Sequence, residues 1–223
     1  MNRIIQGIHQ FQRKVFPAHR DLFNSLAHGQ RPEALFIACS DSRVSLEWIT
    51  QCRPGDLFVC RNAGNVVPPH GQTDAVSATI EYAISALKLK HIVVCGHSDC
   101  GAMKGLLNPT AVSGMPDVKN WLCYADPARR ALEIAHHDLP PGENLPLLTK
   151  LNIRLQLDHL STHPQVLSGL REGSLELHGW YYQIETGEVQ AWNAAEKRWV
   201  GVNESGPGVG LMNAGSVQGA RHA

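Results

Sequence analysis

Two short stretches of this chain concentrate groups that can hold a metal: Cys39-Ser-Asp41-Ser-Arg43 and Gly96-His97-Ser-Asp-Cys100-Gly101. Cys39, His97 and Cys100 offer two thiolates and one imidazole, and His97-x-x-Cys100 has the spacing of a chelating turn. Two soft sulfurs and a nitrogen suit Zn²⁺ in tetrahedral geometry. Three protein ligands leave the fourth position open, as in a catalytic zinc; a structural zinc would want a fourth Cys or His close by. Each half alone is a weak signal, since a Cys closing a buried strand is most often a small core residue. Asp41 and Arg43 by themselves read as a surface ion pair worth well under about 1 kcal/mol. Beside a metal ligand they read as a carboxylate gripped by a forked guanidinium.

The elements around these stretches have to bring them together. Ala34–Cys39, Leu57–Cys60 and His91–Gly96 are short, nearly continuous apolar runs and read as buried strands. Helical periodicity lies between them, in a short segment containing Trp48 and in Thr73–Leu89 (Val76, Ile80, Ala83, Ile84, Leu87). This alternation predicts an α/β fold with a mostly parallel sheet flanked by helices, in which ligands bind beyond the carboxyl ends of the strands. Adjacent parallel strands would bring both metal-capable turns to one edge.

Upstream, Ile4, Ile5, Ile8, Phe11 and Val15 form a helical stripe that Pro17 is expected to interrupt, followed by a second run with Leu22, Phe23 and Leu26. Each is expected to bury one stripe. Downstream, residues 117–170 read as mostly helical with a break at Leu139–Gly142. Residues 175–184 read as a strand that turns at Thr186-Gly187 into Val189–Trp192. Residues 1–200 are expected to form one domain, and residues 201–223, rich in Gly, Asn and Ser, a flexible tail.

The two stretches resemble the two signature motifs of the β-class carbonic anhydrases, above all those of the plant and cyanobacterial branch. The likeness extends to Gly55-Asp-Leu-Phe58-Val-Cys-Arg61-Asn-Ala-Gly-Asn65, to Ile80-Glu-Tyr82-Ala and to Leu177-His-Gly-Trp-Tyr-Tyr182, and spans roughly residues 1–192. It implies Zn²⁺ held by Cys39, His97 and Cys100, and reversible hydration of CO₂ to bicarbonate by attack of zinc hydroxide. Asp41 would orient that hydroxide and Arg43 would hold Asp41. Gln30, Phe58 and Tyr82 match pocket residues, partly supplied by a partner subunit in a homodimer or a multiple of dimers, with the N-terminal helices used for dimerisation. In closed members of the family the aspartate matching Asp41 becomes the fourth zinc ligand. Members with a second, inhibitory bicarbonate site carry a Trp where this chain has Phe36, although Arg61 and Tyr182 are kept. The open, three-ligand state is therefore expected at neutral pH. Ala63 stands where the plant enzymes have Val. Two further readings keep the fold, one hydrolysing CS₂ or COS, the other a non-catalytic zinc- or bicarbonate-binding scaffold.

Composition excludes other classes. Twenty Lys+Arg against twenty Asp+Glu give a net charge of zero, which offers nucleic acid or an anionic membrane no basic surface. No apolar run is long enough to span a bilayer, and the start is too polar for a secretory signal. A cytoplasmic location is expected, with a carboxysome-like microcompartment, and its shell or scaffold protein as partner, as the variant of it. Cys52, Cys60, Cys95 and Cys123 are expected as reduced thiols. His159 and His163 share a helix face but lack an acidic partner in an H-E-x-x-H arrangement, and are expected at the surface. Glu133-x-x-His136 is half of a di-iron pattern. Gly206–Gly210 follows no strand, which argues against a phosphate loop. His178 is expected away from the metal, in a segment that sends Trp180 into the core. Tyr82, a surface histidine or buffer could carry the proton out.

Overall fold

The structure, a computed structural model, describes residues 1–135, 140 and 142–202 of the 223. The chain begins with α1 (Asn2–Gln10), a wider π turn (Phe11–Val15), α2 (Phe16–Ala18) and α3 (Arg20–Leu26), followed by β1 (Ala34–Cys39), α4 (Leu46–Thr50) and β2 (Leu57–Asn62). Next come α5 (Ala75–Ser85), β3 (His91–His97), α6 (Gly101–Leu107), α7 (Pro116–Leu122), α8 (Asp126–Ala135), α9 (Asn144–Leu160) and α10 (Pro164–Glu172). The chain then forms β4 (Glu176–Tyr182), β5 (Val189–Asn193) and β6 (Arg198–Gly201).

The sheet runs β2-β1-β3-β4-β5-β6; the first four strands are parallel and the last two antiparallel. All six residues of β1 are buried, as expected for a strand covered on both faces. Strand alternation then divides the core. Leu35, Ile37, Ile92, Val94 and Leu177 pack with Ile80 of α5, Ile153 and Leu157 of α9 and Val166 of α10. Phe36, Ala38, Val93 and Cys95 face the other way, towards Val44 and Leu46. A third apolar cluster, built from Met103, Leu106, Leu122, Ala128, Leu132 and Leu148, packs on Cys39 and Cys100. Burying each such aliphatic side chain contributes roughly 1.5–3 kcal/mol.

Several expectations change. Pro17 does not interrupt the first helix, which runs on to Ala18 and breaks at His19 (φ −120°). The wider turn over Phe11–Val15 loosens the backbone bonding just where a proline has no N–H to give. Nor is the apolar stripe buried: Ile4 is 62% exposed, and no residue of α1, α2 or α3 is buried. Helix α5 is shorter than its apolar period, because Asp74 caps it through the backbone N–H groups of Val76 and Ser77 and the chain leaves it by Lys88 at φ +57°. Strand β6 was not anticipated; it pairs Trp199 with Trp192 of β5. The expected break at Leu139–Gly142 falls partly outside the described residues, as do His136, Gly206–Gly210 and nearly all of residues 201–223.

Candidate metal centre

Strand β1 delivers Cys39 and strand β3 delivers His97 at neighbouring carboxyl ends, and the turn after β3 returns Cys100 as the residue that opens α6. Cys39 Sγ and Cys100 Sγ lie 4.0 Å apart, close to the ~3.8 Å that two thiolates take up around tetrahedral zinc. His97 is fully buried and its Nδ1 pairs with the Ser98 carbonyl at 2.8 Å. That bond places the ring proton on Nδ1 and leaves a lone pair on Nε2. Nε2 has no hydrogen-bond partner. An unsatisfied buried nitrogen next to two sulfurs costs stability unless a cation takes all three, so the donor set fits Zn²⁺.

The electrostatics agree with such a site. Cys39 is lowered to about 4 because the Cys100 thiol hydrogen-bonds to it, outweighing desolvation, with His97 and the Gly64 N–H also helping. Cys100 is pushed up by the same pairing. The two thiols thus share one proton, and a divalent cation lets both ionise. Asp41 is locked by Arg43: Nε donates to Oδ1 at 2.9 Å, Nη2 to Oδ2 at 2.7 Å, and the Arg43 backbone N–H to Oδ1 at 3.0 Å. This grip holds the Asp41 carboxyl well below the usual carboxylate range. Asp41 Oδ2 sits 3.9 Å from His97 Nε2.

Groups that carry no metal signature in the sequence hold these residues in place. Asp99, at φ +58° in the turn between His97 and Cys100, accepts from Arg43 Nη1 at 2.9 Å and pairs with Lys104. Arg43 therefore bridges the two ligand turns. Ser98 donates to Glu185 and accepts from the Ile184 N–H, which ties the second turn to the end of β4. Arg61 donates to the Cys39 carbonyl at 3.0 Å. Gly64 combines φ +81° with close approach, since a Cβ there would stand 2.9 Å from Ala102 Cβ. Its carbonyl accepts from Asn152, which accepts from Gln156, whose own Oε1 takes the Val67 N–H. Asn152 and Gln156 are fully buried. In the sequence they are merely polar residues of a helix; only the packing of α9 shows which face they occupy.

The pocket candidates do not all meet the metal ligands within one chain. Phe58 pairs in register with Leu35, four residues before Cys39, about 13 Å back along the strand. Its ring lies 5.8 Å from that of Tyr82, which is 51% exposed. Gln30 is exposed and lines an open cavity with Leu26 and Pro54. Ala63 gives its carbonyl to the Trp121 indole. Phe36 packs edge-on against Trp180, which is half-buried rather than deep in the core. His159 and His163 are not surface residues. His163 is 3% exposed and bonds the Pro68 carbonyl, and half-buried His159 bonds the Val67 carbonyl. They fasten the segment after β2 to α9 and α10, and burial lowers both pKa values. No disulfide joins Cys52, Cys60, Cys95 or Cys123.

Comparison with known proteins returns one family. The carbonic anhydrase family model matches residues 34–189. A carbonic anhydrase of Pseudomonas aeruginosa is 48% identical over 205 residues, covering 92% of this chain and 93% of the relative. The solved structure of the β-carbonic anhydrase CcaA superposes with a TM-score of 0.91 at 42% identity over 95% of both chains. A structure described among two tetrameric β-carbonic anhydrases from Sordaria macrospora gives a TM-score of 0.71 at 34% identity, over 85% of this chain and 92% of that one.

Proposed function

The chain belongs to the carbonic anhydrase family, in its β class, and from that premise we propose that it catalyses the reversible hydration of CO₂ to bicarbonate and a proton. The observation that carries the reading is the convergence of Cys39, Cys100 and the unpaired, buried His97 Nε2 beside an Asp41 that Arg43 holds away. Cys39, His97 and Cys100 would hold the zinc. Bound there, the ion supplies Lewis acidity that brings the pKa of a water from about 15.7 towards 7, making a nucleophile at neutral pH.

The protein's own part is orientation. Asp41, kept ionised by the Arg43 fork, accepts a hydrogen bond from the nucleophile and turns its lone pair towards the CO₂ carbon. The same fork keeps Asp41 from becoming a fourth ligand, so the reading includes an open site at neutral pH. Arg43 is itself fixed by Asp99, so the orientation of Asp41 depends on both ligand turns.

The exposed stripe of Ile4, Ile5, Ile8, Phe11 and Val15 fits a second copy of the chain, in a dimer or a multiple of it. The named tetrameric relatives support that state. In such an assembly the Gln30, Phe58 and Tyr82 of one subunit would line the pocket of the other, a reading supported by the position of Phe58 four register places back from Cys39 in its own chain. A reducing compartment such as the cytoplasm suits a site whose two thiols must stay reduced.

Stopped-flow CO₂ hydration from about pH 6.5 to about 9 tests the reading, with Asp41→Ala as control. The expected result is turnover that rises with pH and falls sharply in the variant. Zinc-loaded wild-type protein no faster than Asp41→Ala would overturn it.

A further inference from the structure

The opposite end of the sheet carries a second convergence of ligating groups. His91 opens β3 and Glu176 opens β4; the two are register partners, and His178 lies two residues further on, on the same side as Glu176. They stand six residues up the strand from His97, about 20 Å from the Cys39 site. His91 Nδ1 is 3.2 Å from His178 Nε2 and 3.3 Å from Glu176 Oε2, and His178 Nε2 is 3.9 Å from the same oxygen. The circle through these three atoms has a radius of about 2.0 Å, the length of a metal–imidazole or metal–carboxylate bond. A cation near its centre would reach all three without moving a strand.

We propose that His91, His178 and Glu176 form a second site for a divalent transition metal, which clamps the starts of β3 and β4. Two imidazoles and one carboxylate favour Zn²⁺, Co²⁺, Ni²⁺ or Cu²⁺ over Mg²⁺ or Ca²⁺, which prefer oxygen donors. Arg31, Glu33, Lys88 and Lys90 share an open cavity with His91, so the choice of metal rests on the nitrogen donors and not on surrounding negative charge.

The test is a metal count on the folded, full-length protein. Dialysis against micromolar Zn²⁺ or Co²⁺ followed by elemental analysis is expected to give two equivalents per chain. His178→Ala and His91→Ala should each return it to one while leaving CO₂ hydration unchanged, and Glu176→Gln should weaken the second equivalent by about tenfold or more. Cys39→Ser should keep a Co²⁺ equivalent that lacks the near-ultraviolet thiolate-to-metal band. A single equivalent in the wild type would overturn the proposal. So would a second equivalent that survives in His178→Ala and Glu176→Gln, which would assign it to histidines elsewhere.

Discussion

The strand ends around Cys39 and the N-terminal helices differ in how far one chain satisfies them. At the strand ends nearly every polar group is spoken for: Asp41 by Arg43, Arg43 by Asp99, the Cys39 carbonyl by Arg61, the Gly64 carbonyl by Asn152. The exceptions among the described residues are His97 Nε2 and the side-chain amide of buried Asn65, neither of which has a hydrogen-bond partner. Helices α1 to α3 show the reverse. Phe16 and Phe23 stack at 5.2 Å, yet Ile4, Ile5, Ile8, Phe11 and Val15 stay exposed and no residue of α1, α2 or α3 is buried. One region satisfies most of its polar groups within the chain, whereas the other leaves large apolar side chains exposed.

Changes to the metal ligands should break that contrast most severely. Cys39→Ser or His97→Ala should remove the zinc and cut CO₂ hydration by at least about a thousandfold, since the nucleophile depends on the ion. Metal analysis alongside stopped-flow kinetics would show both losses together; full activity without metal would refute the assignment. Charging the stripe should act differently. Ile8→Glu combined with Phe11→Glu should yield monomers by sedimentation that still bind zinc but lose about tenfold or more of their activity. A monomer with full activity would show that each chain's pocket is self-sufficient.

Arg43→Ala should be intermediate, lowering kcat by about ten- to a hundredfold and letting Asp41 approach the metal. Cobalt-substituted protein would report this as a fourth protein ligand. Further back, Gln156→Ala should leave the ligands alone and destabilise the fold by roughly 1–3 kcal/mol, because the Val67 N–H loses its buried acceptor; chemical denaturation measures this. The smallest effect is expected from acid. His159 and His163 have folded-state pKa values below their unfolded value of 6.5, so the unfolded chain binds more protons as pH falls below about 6.5. Stability should therefore decline across that range, and His163→Asn should flatten the decline. An unchanged slope in the variant would place the acid sensitivity elsewhere.

Legibility in the sequence followed locality. The strand that ends in Cys39 and the turn from His97 to Cys100 are contiguous, so the apolar run and the ligand spacing show both position and chemistry. The parallel order of β1, β2 and β3 followed from strand–helix alternation for the same reason. His163 was misplaced because a histidine before a proline has the same local sequence whether it faces water or the Pro68 carbonyl. The Arg43–Asp99 contact spans 56 positions and has no local signature. Pro17 misled through a rule about regular helices that a wider turn evades.

By itself, then, the sequence determined the donor types, the strands that carry them and the amphipathic stripe, because each depends on residues close together in the chain. Tertiary structure decided the rest. Only packing brings Cys39 to Cys100, chooses the buried face of Asn152 and Gln156, and gathers His91, Glu176 and His178 at the far end of the sheet. Those relations join distant segments through strand register and helix burial, which the chain acquires only when the core closes.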